Sequence, residues 1–428
     1  GRAAAESRAQ WEGRGAAHPH SMAHFGDFAF RPSGALARLD RGVQARLGKV
    51  LRIEGHRQGT PLHSDASRAG TVARFSRPDA AFFLQTVVPL LLIFLGAMGL
   101  SSDRESGRLR LLLVQGADGR AALWGHFFAL WGLGVIFVGL ILIASWTTAA
   151  ALGADGLKNA PRLMAFVIMH SAFLAVVAAA VVASSVWSRS GQGALLLLLV
   201  CWVAGTAVLP RATSGAANAM YPLPSRDVFQ AEIKAAREDG PDGHNPKDQF
   251  VDKRRREILK EYGVKTVEQL PINFGGVAMQ LDEDFANQIW DEHHGKLETL
   301  MIRQSNLGSW GAVLNPFQSI DHVSMAVSGT DLFHDLSFLH QAESYRRRLI
   351  GALNHEHAYG GSKTGDRTFK ATPEFFAGIE PFRYVAPTLS EALWQRSREL
   401  IGLIVWFLLL AVALSRGGTR LERGSLGQ

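Results

Sequence analysis

Fifteen histidines carry the most obvious chemistry in this 428-residue chain, because imidazole both ligates transition metals and titrates near neutral pH. His18, His20 and His24 cluster near the start, and His334, His340, His355 and His357 lie in a later polar region, so copper or zinc is chemically allowed. Spacing weighs against it. His355 and His357 would point apart on a helix, since neighbours on one helical face are three or four residues apart. His20 and His24 have that separation, but only a helix would make them neighbours, and Pro19 and Gly26 disfavour one there. The histidines are therefore expected to be structural, with no metal and no other cofactor in this chain.

Other catalytic chemistry is absent from the pattern. No Gly-x-x-x-x-Gly-Lys-Ser/Thr loop cradles phosphate, and no Gly-x-Ser-x-Gly or His-Glu-x-x-His motif points to hydrolysis. The single cysteine, Cys201, excludes a disulfide within the chain and any cysteine-based zinc site, and it sits in an apolar run as an inert packing residue. The expected protein is not an enzyme.

The elements that must position these groups come in two kinds. Mean hydropathy is +0.06, yet that value averages very apolar runs with very polar stretches. A bilayer core needs about 20 apolar residues in helical form. Runs at 80–100, 126–151, 163–187 and 191–209 qualify; a fifth, 400–415, is shorter but is flanked by Trp394, Arg396, Arg398 and Arg416, which can reach the interface. Only His126 and His170, with Gln85 and Gln192, interrupt these runs, so an ion relay is missing from them and His170 is expected to make an interhelical hydrogen bond.

The expected fold is an all-α membrane protein with five transmembrane helices and a large, mainly helical polar domain. The domains are 1–79, a loop-rich extracytoplasmic segment; 80–210, four spans; 211–399, the extracytoplasmic domain, with helices expected near 227–238, 247–262, 277–304 and 331–357; and 400–428, the last span and tail. Arg104, Arg108, Arg110 and Arg120, Arg189, and Arg416, Arg420 and Arg423 fall on one side if five helices alternate, against Lys158 and Arg162 on the other. The positive-inside bias puts the first set in the cytoplasm. An exported start implies a sixth helix upstream of Gly1. A net charge of +7 without long basic runs gives no sign of a nucleic-acid partner.

The most distinctive connection is 102–116, Ser-Asp-Arg-Glu-Ser-Gly-Arg-Leu-Arg-Leu-Leu-Leu-Val-Gln-Gly, which reads as a short amphipathic helix on the membrane surface, either a lipid anchor or a lever pushed by a partner. It resembles the Glu-Arg-Glu-x-Gly-Thr-Leu-x-x-Leu-Leu segment of type-2 ABC exporter permeases. Arg104, Glu105, Gly107, Leu109, Leu112 and Leu113 match, while Asp103 replaces Glu and Arg108 replaces Thr. A second stretch, Ala17 to Pro32, is similar to the Asn-Pro-His-Ser-x-x-His-Tyr-Gly-x-Tyr-Ala-Phe-x-Pro sequence of an uncharacterised branch labelled as permeases for multicopper-enzyme maturation; so are Ile53-Glu54-Gly55-His56-Arg57-Gln58 and Ser324-Met325-Ala326-Val327-Ser328-Gly329-Thr330-Asp331.

The resemblance implies a multi-pass permease of the bacterial inner membrane, with 102–116 as the helix that docks on an ATPase. It implies a pair of ATPase subunits that bind ATP and Mg, a second permease copy or a related permease, and an outer partner for the polar mass. Arg104 and Glu105 would make charged contacts to the ATPase, and Leu109, Leu112 and Leu113 would fill a groove. The alternative function is a non-conducting relay that passes ATPase motion to the extracytoplasmic partner.

Overall fold

A computed structural model of the chain describes residues 2–59, 78–151, 159–245 and 247–426. Among these, five helices are long and apolar enough to cross a membrane: Ala80–Glu105, Gly119–Ser145, Ala160–Trp187, Gly191–Met220 and Ser397–Leu421, here called the first to fifth spans. Strand is confined, in the described residues, to the antiparallel pair Asp27–Phe30 (β1) and Val50–Ile53 (β2). Gly1, Lys158 and residues 60–77 lie outside the described residues.

Lipid offers no partner for backbone N–H or C=O groups, so a lone spanning segment must bond within itself. Two prolines challenge that requirement. Pro89 and Pro210 each follow a wide π turn, Phe83–Val87 and Ala204–Val208. Because Pro210 has no N–H for the turn before it, the Gly205 carbonyl accepts instead from Asn315 Nδ2 at 2.7 Å. The third span is the hub. Its most apolar window is 67% buried, against 22%, 17% and 22% for the second, fourth and fifth, which keep sides for lipid. Ala165, Ala175, Ala178, Ala179 and Ala183 let its neighbours approach closely.

The spans alternate, and each end of the bundle has its own character. At one end the Ser101 N–H donates to Ser185 Oγ at 3.1 Å, Arg420 lies 4.7 Å over the Trp187 ring, and Gly418 packs on Arg120. At the other, the Ala81 N–H donates to the Leu39 carbonyl at 2.9 Å, and Arg162 donates to the carbonyls of Ala326, Val327 and Pro387. The arginine-bearing connections thus share one end, opposite the polar mass.

The larger core of that polar mass draws on both 1–79 and 211–399, while Val251, Ile258, Leu270 and Phe274 form a smaller cluster of their own. Trp11, Met22, Leu51 and Ile53 from the N-terminal segment bury against Phe338, Tyr345, Leu349 and Leu353 of helix Leu332–Tyr359. The reason is mutual need: each segment has an apolar face too small to be covered by itself. Helix Phe274–Leu314, about 60 Å long by its rise per residue, runs alongside, and helices Arg226–Glu238 and Gln249–Glu261 pack on it.

The polar region also does not stop at the membrane. Helix Phe274–Leu314 turns at Asn315 into helix Pro316–Ser328, whose Ile320, Val323 and Val327 belong to the same apolar core as the spans. Phe317 meets Phe173, midway along the third span, with ring centroids 5.4 Å apart. Trp406 Nε1 donates to the Val313 carbonyl at 3.2 Å. A helix this short cannot span a bilayer, and Gln318, Ser319, His322 and Ser324 break its apolar run, so hydropathy does not reveal it. It carries polar groups to the spans: His322 Nδ1 lies 3.1 Å from Glu399 Oε1, which also accepts from Ser309 Oγ at 2.6 Å.

Candidate functional site

The 102–116 segment is two helices, not one. Glu105 ends a helix continuous with the first span, Gly107 takes a left-handed φ of 73°, and helix Arg108–Val114 follows. Glycine adopts that conformation without a Cβ penalty, which is why the break falls there. Arg104 Nη1 donates to the Val186 carbonyl at 3.0 Å and Nη2 to that of Ser188 at 2.5 Å, while Glu105 Oε1 accepts from the Gly191 N–H at 2.7 Å. These two side chains fasten the first span to the turn between the third and fourth. Leu109 is buried among the spans and Leu113 packs on them.

Outward from this clamp lies an apolar surface. Leu111 and Val114 are 65% and 71% exposed and Leu112 is 41% exposed; Asp103 pairs with the exposed Arg108 at 3.1 Å. Of the residues expected to meet a partner, Arg104, Glu105 and Leu109 therefore have contacts inside the chain. Leu111 and Val114, which the motif does not single out, join Leu112 on the outer face.

The histidines form the second site. Pro19 is the first residue of helix Pro19–Phe25, where a missing N–H costs nothing, and Gly26, at φ 71°, ends it. The two residues counted against a helix are its start and its stop. His20 and His24 consequently share a face, with ring centroids 4.6 Å and Nε2 atoms 3.1 Å apart. His56 lies 5.3 Å from the His24 ring and His244 lies 4.7 Å from that of His56. Nitrogen atoms from all four fall within 4.8 Å of one another.

The surroundings hold this arrangement. His56 is the single non-glycine residue with a positive φ among the described residues, at 61°. Its N–H donates to Glu283, its carbonyl accepts from Arg237 Nη1 at 2.6 Å, and its Nδ1 lies 2.9 Å from Asp282 Oδ2. Burial, and then the nearness of His24, His56, His244 and His357, hold His20 down at about 3; burial first, then His56 and His244, lower His24. Both rings are neutral at physiological pH and keep a lone pair.

His18 and His357 border this group without joining it, and His334, His340, His355 and His170 have other neighbours. His18 caps the helix by accepting the His20 N–H at 3.2 Å and meets the His357 ring; His334 pairs with Asp331 and His340 with Glu298. His355 lies against Tyr359. His170 is satisfied within the membrane by Gln85 Nε2 at 3.2 Å and the Phe166 carbonyl at 2.9 Å. His56 and His244 escape a reading of local spacing because each is remote in sequence from His20; the helix start and stop around His20 and His24 were the available signal.

A family model described as a domain of unknown function (DUF3526) matches residues 228–384, the stretch from helix Arg226–Glu238 through helix Leu332–Tyr359 and beyond. It includes His244 and leaves the other three clustered histidines and all five spans outside. No curated protein and no solved structure matches the chain.

Proposed function

We propose that this chain is the membrane-spanning permease subunit of an ATP-driven transporter, with ATP and Mg bound by separate ATPase subunits. The observation that carries the reading is the outer face of helix Arg108–Val114: exposed Leu111, Leu112 and Val114 on a segment clamped to three spans through Arg104 and Glu105. An apolar knob on a rigid mount can receive a push and pass it to the bundle. Arginines at that end support a cytoplasmic side for it by the positive-inside bias, which would put the polar mass outside a bacterial inner membrane. A second permease, the same or related, would complete the path for a substrate.

The wedge of residues 312–328 against the third, fourth and fifth spans favours a second reading, a relay that conducts nothing. Motion of the clamped end would reach the outer domain and its partner through that packed hairpin. Transport of a solute by reconstituted vesicles favours the permease; ATP-dependent movement of the domain without solute flux favours the relay.

The test common to both is capture of the ATPase. Leu112→Asp, at an exposed position, should leave the fold intact and cut the ATPase co-purifying from native membranes at least about tenfold, the equivalent of ~1.4 kcal/mol of binding. Glu105→Ala should lower coupled hydrolysis by loosening the clamp. A wild-type chain that purifies without any nucleotide-hydrolysing subunit, or a Leu112→Asp chain that retains it fully, would overturn the assignment.

A further inference from the structure

We propose that His20, His24, His56 and His244 form a four-histidine site for a divalent transition-metal ion, with Zn²⁺ as the fitting occupant. Two ligands on a regular tetrahedron at roughly 2.0–2.1 Å from zinc stand about 3.3 Å apart. The His20 and His24 Nε2 atoms are already 3.1 Å apart, and the four nitrogens need only a small contraction from their spread of at most 4.8 Å. Two neutral imidazoles facing each other nitrogen to nitrogen share at most one proton. A cation between them gives both lone pairs a partner.

Three features beyond the cluster point the same way. His56 is gripped at Nδ1 by Asp282, itself held by Arg237 at 3.3 Å, so that its other nitrogen is left for a ligand; this carboxylate–histidine pairing is what metal sites use to orient a ring. The positive φ of His56 is backbone strain kept by hydrogen bonds from Arg237 and to Glu283, as strain at functional positions usually is. His20 Nδ1 is buried with no hydrogen-bond partner among the described residues, which leaves that ring otherwise unanchored.

The donor set narrows the ion. Imidazole alone, with no carboxylate oxygen or thiolate among the four, excludes Ca²⁺ and Mg²⁺, which take oxygen, and suits zinc or copper(II). Glu54, Asp242, Asp282 and Glu283 lie around the rings and supply negative charge without serving as ligands. The ligands come from helix Pro19–Phe25, the turn after β2, and the loop between helices Arg226–Glu238 and Gln249–Glu261. The ion therefore latches that loop to the N-terminal segment. The site is independent of the permease reading, since no ATPase takes part.

The full chain, purified in detergent, stripped with chelator and reloaded with ZnCl₂, should retain one zinc per chain by elemental analysis. Loading with Co²⁺ should produce the intense visible bands of tetrahedral cobalt. His24→Ala and His244→Ala should each abolish stoichiometric retention, and Asp282→Asn should weaken it about 10–100-fold. Zinc should also protect residues 239–248 from proteolysis in the wild type and not in His244→Ala. Retention in the reloaded wild type no greater than in a folded His24→Ala/His244→Ala chain would overturn the site, as would an octahedral cobalt spectrum.

Discussion

Arg346→Ala is expected to lower the stability of the polar domain by about 3–5 kcal/mol, the usual cost of leaving a buried charge without its partner. Arg346 is 1% exposed. Its Nη1 donates to Glu283 Oε2 at 2.7 Å, its Nε to Glu343 Oε2 at 2.9 Å, and its Nη2 to Asn287. Removing the guanidinium strands Glu283, which is 2% exposed, and also frees the carboxylate that holds the His56 N–H. Arg346→Lys keeps the charge but not the fork of donors, so it should lie between the wild type and Ala. Denaturant unfolding in detergent measures both. A loss below about 1 kcal/mol for Arg346→Ala, as for a surface ion pair, would show that the network does not hold the domain together.

Asp40→Asn should stabilise the protein above about pH 4, increasingly so up to about pH 8. Burial, reinforced by the charge of Asp321 and, more weakly, Asp79, pushes the Asp40 carboxyl up to about 8; hydrogen bonds from Ser324 and Gly42 offset part of that rise. The folded chain therefore keeps a proton that the unfolded chain releases near pH 4, and stability falls as pH rises from about 4 to about 8 with a limiting slope of about 1.4 kcal/mol per unit. Above that window the penalty is constant. Asn can still accept from the Gly42 N–H and meet Ser324 Oγ, contacts of 2.9 and 2.5 Å in the wild type, without any charge to bury. Thermal midpoints should draw together toward pH 4 and below, and separate increasingly from there to about pH 8, with the variant higher. A variant less stable than the wild type by a constant amount from about pH 5 to pH 9 would mean that Asp40 is a paired carboxylate.

The five spans were legible because a bilayer imposes one length on every crossing helix, and nothing outside each run is needed to read it. Their ends were less so, since Ala80–Glu105 and Gly191–Met220 continue into polar sequence where helix propensity and packing take over from lipid. The hairpin around Asn315 was illegible for the opposite reason. Helix Pro316–Ser328 is neither long nor apolar enough to show on a hydropathy scale, and it enters the bundle because its polar side chains find partners there, Asn315 at Gly205 and His322 at Glu399. An absence of ionisable groups from the spans, read along the chain, thus becomes a supply of them from the polar domain.

The sequence by itself determined the membrane class, the helical character of the polar mass and the location of the segment at 102–116, because each follows from local periodicity and composition. Tertiary structure alone decided which sides face where. Arg104, Glu105 and Leu109 turn inward because the neighbouring span ends offer backbone groups and apolar surface, and Leu111, Leu112 and Val114 are left outside. Four histidines from three remote stretches meet for the same reason: shared burial of N-terminal and later apolar faces brings their segments together, and no spacing in a linear sequence records that distance.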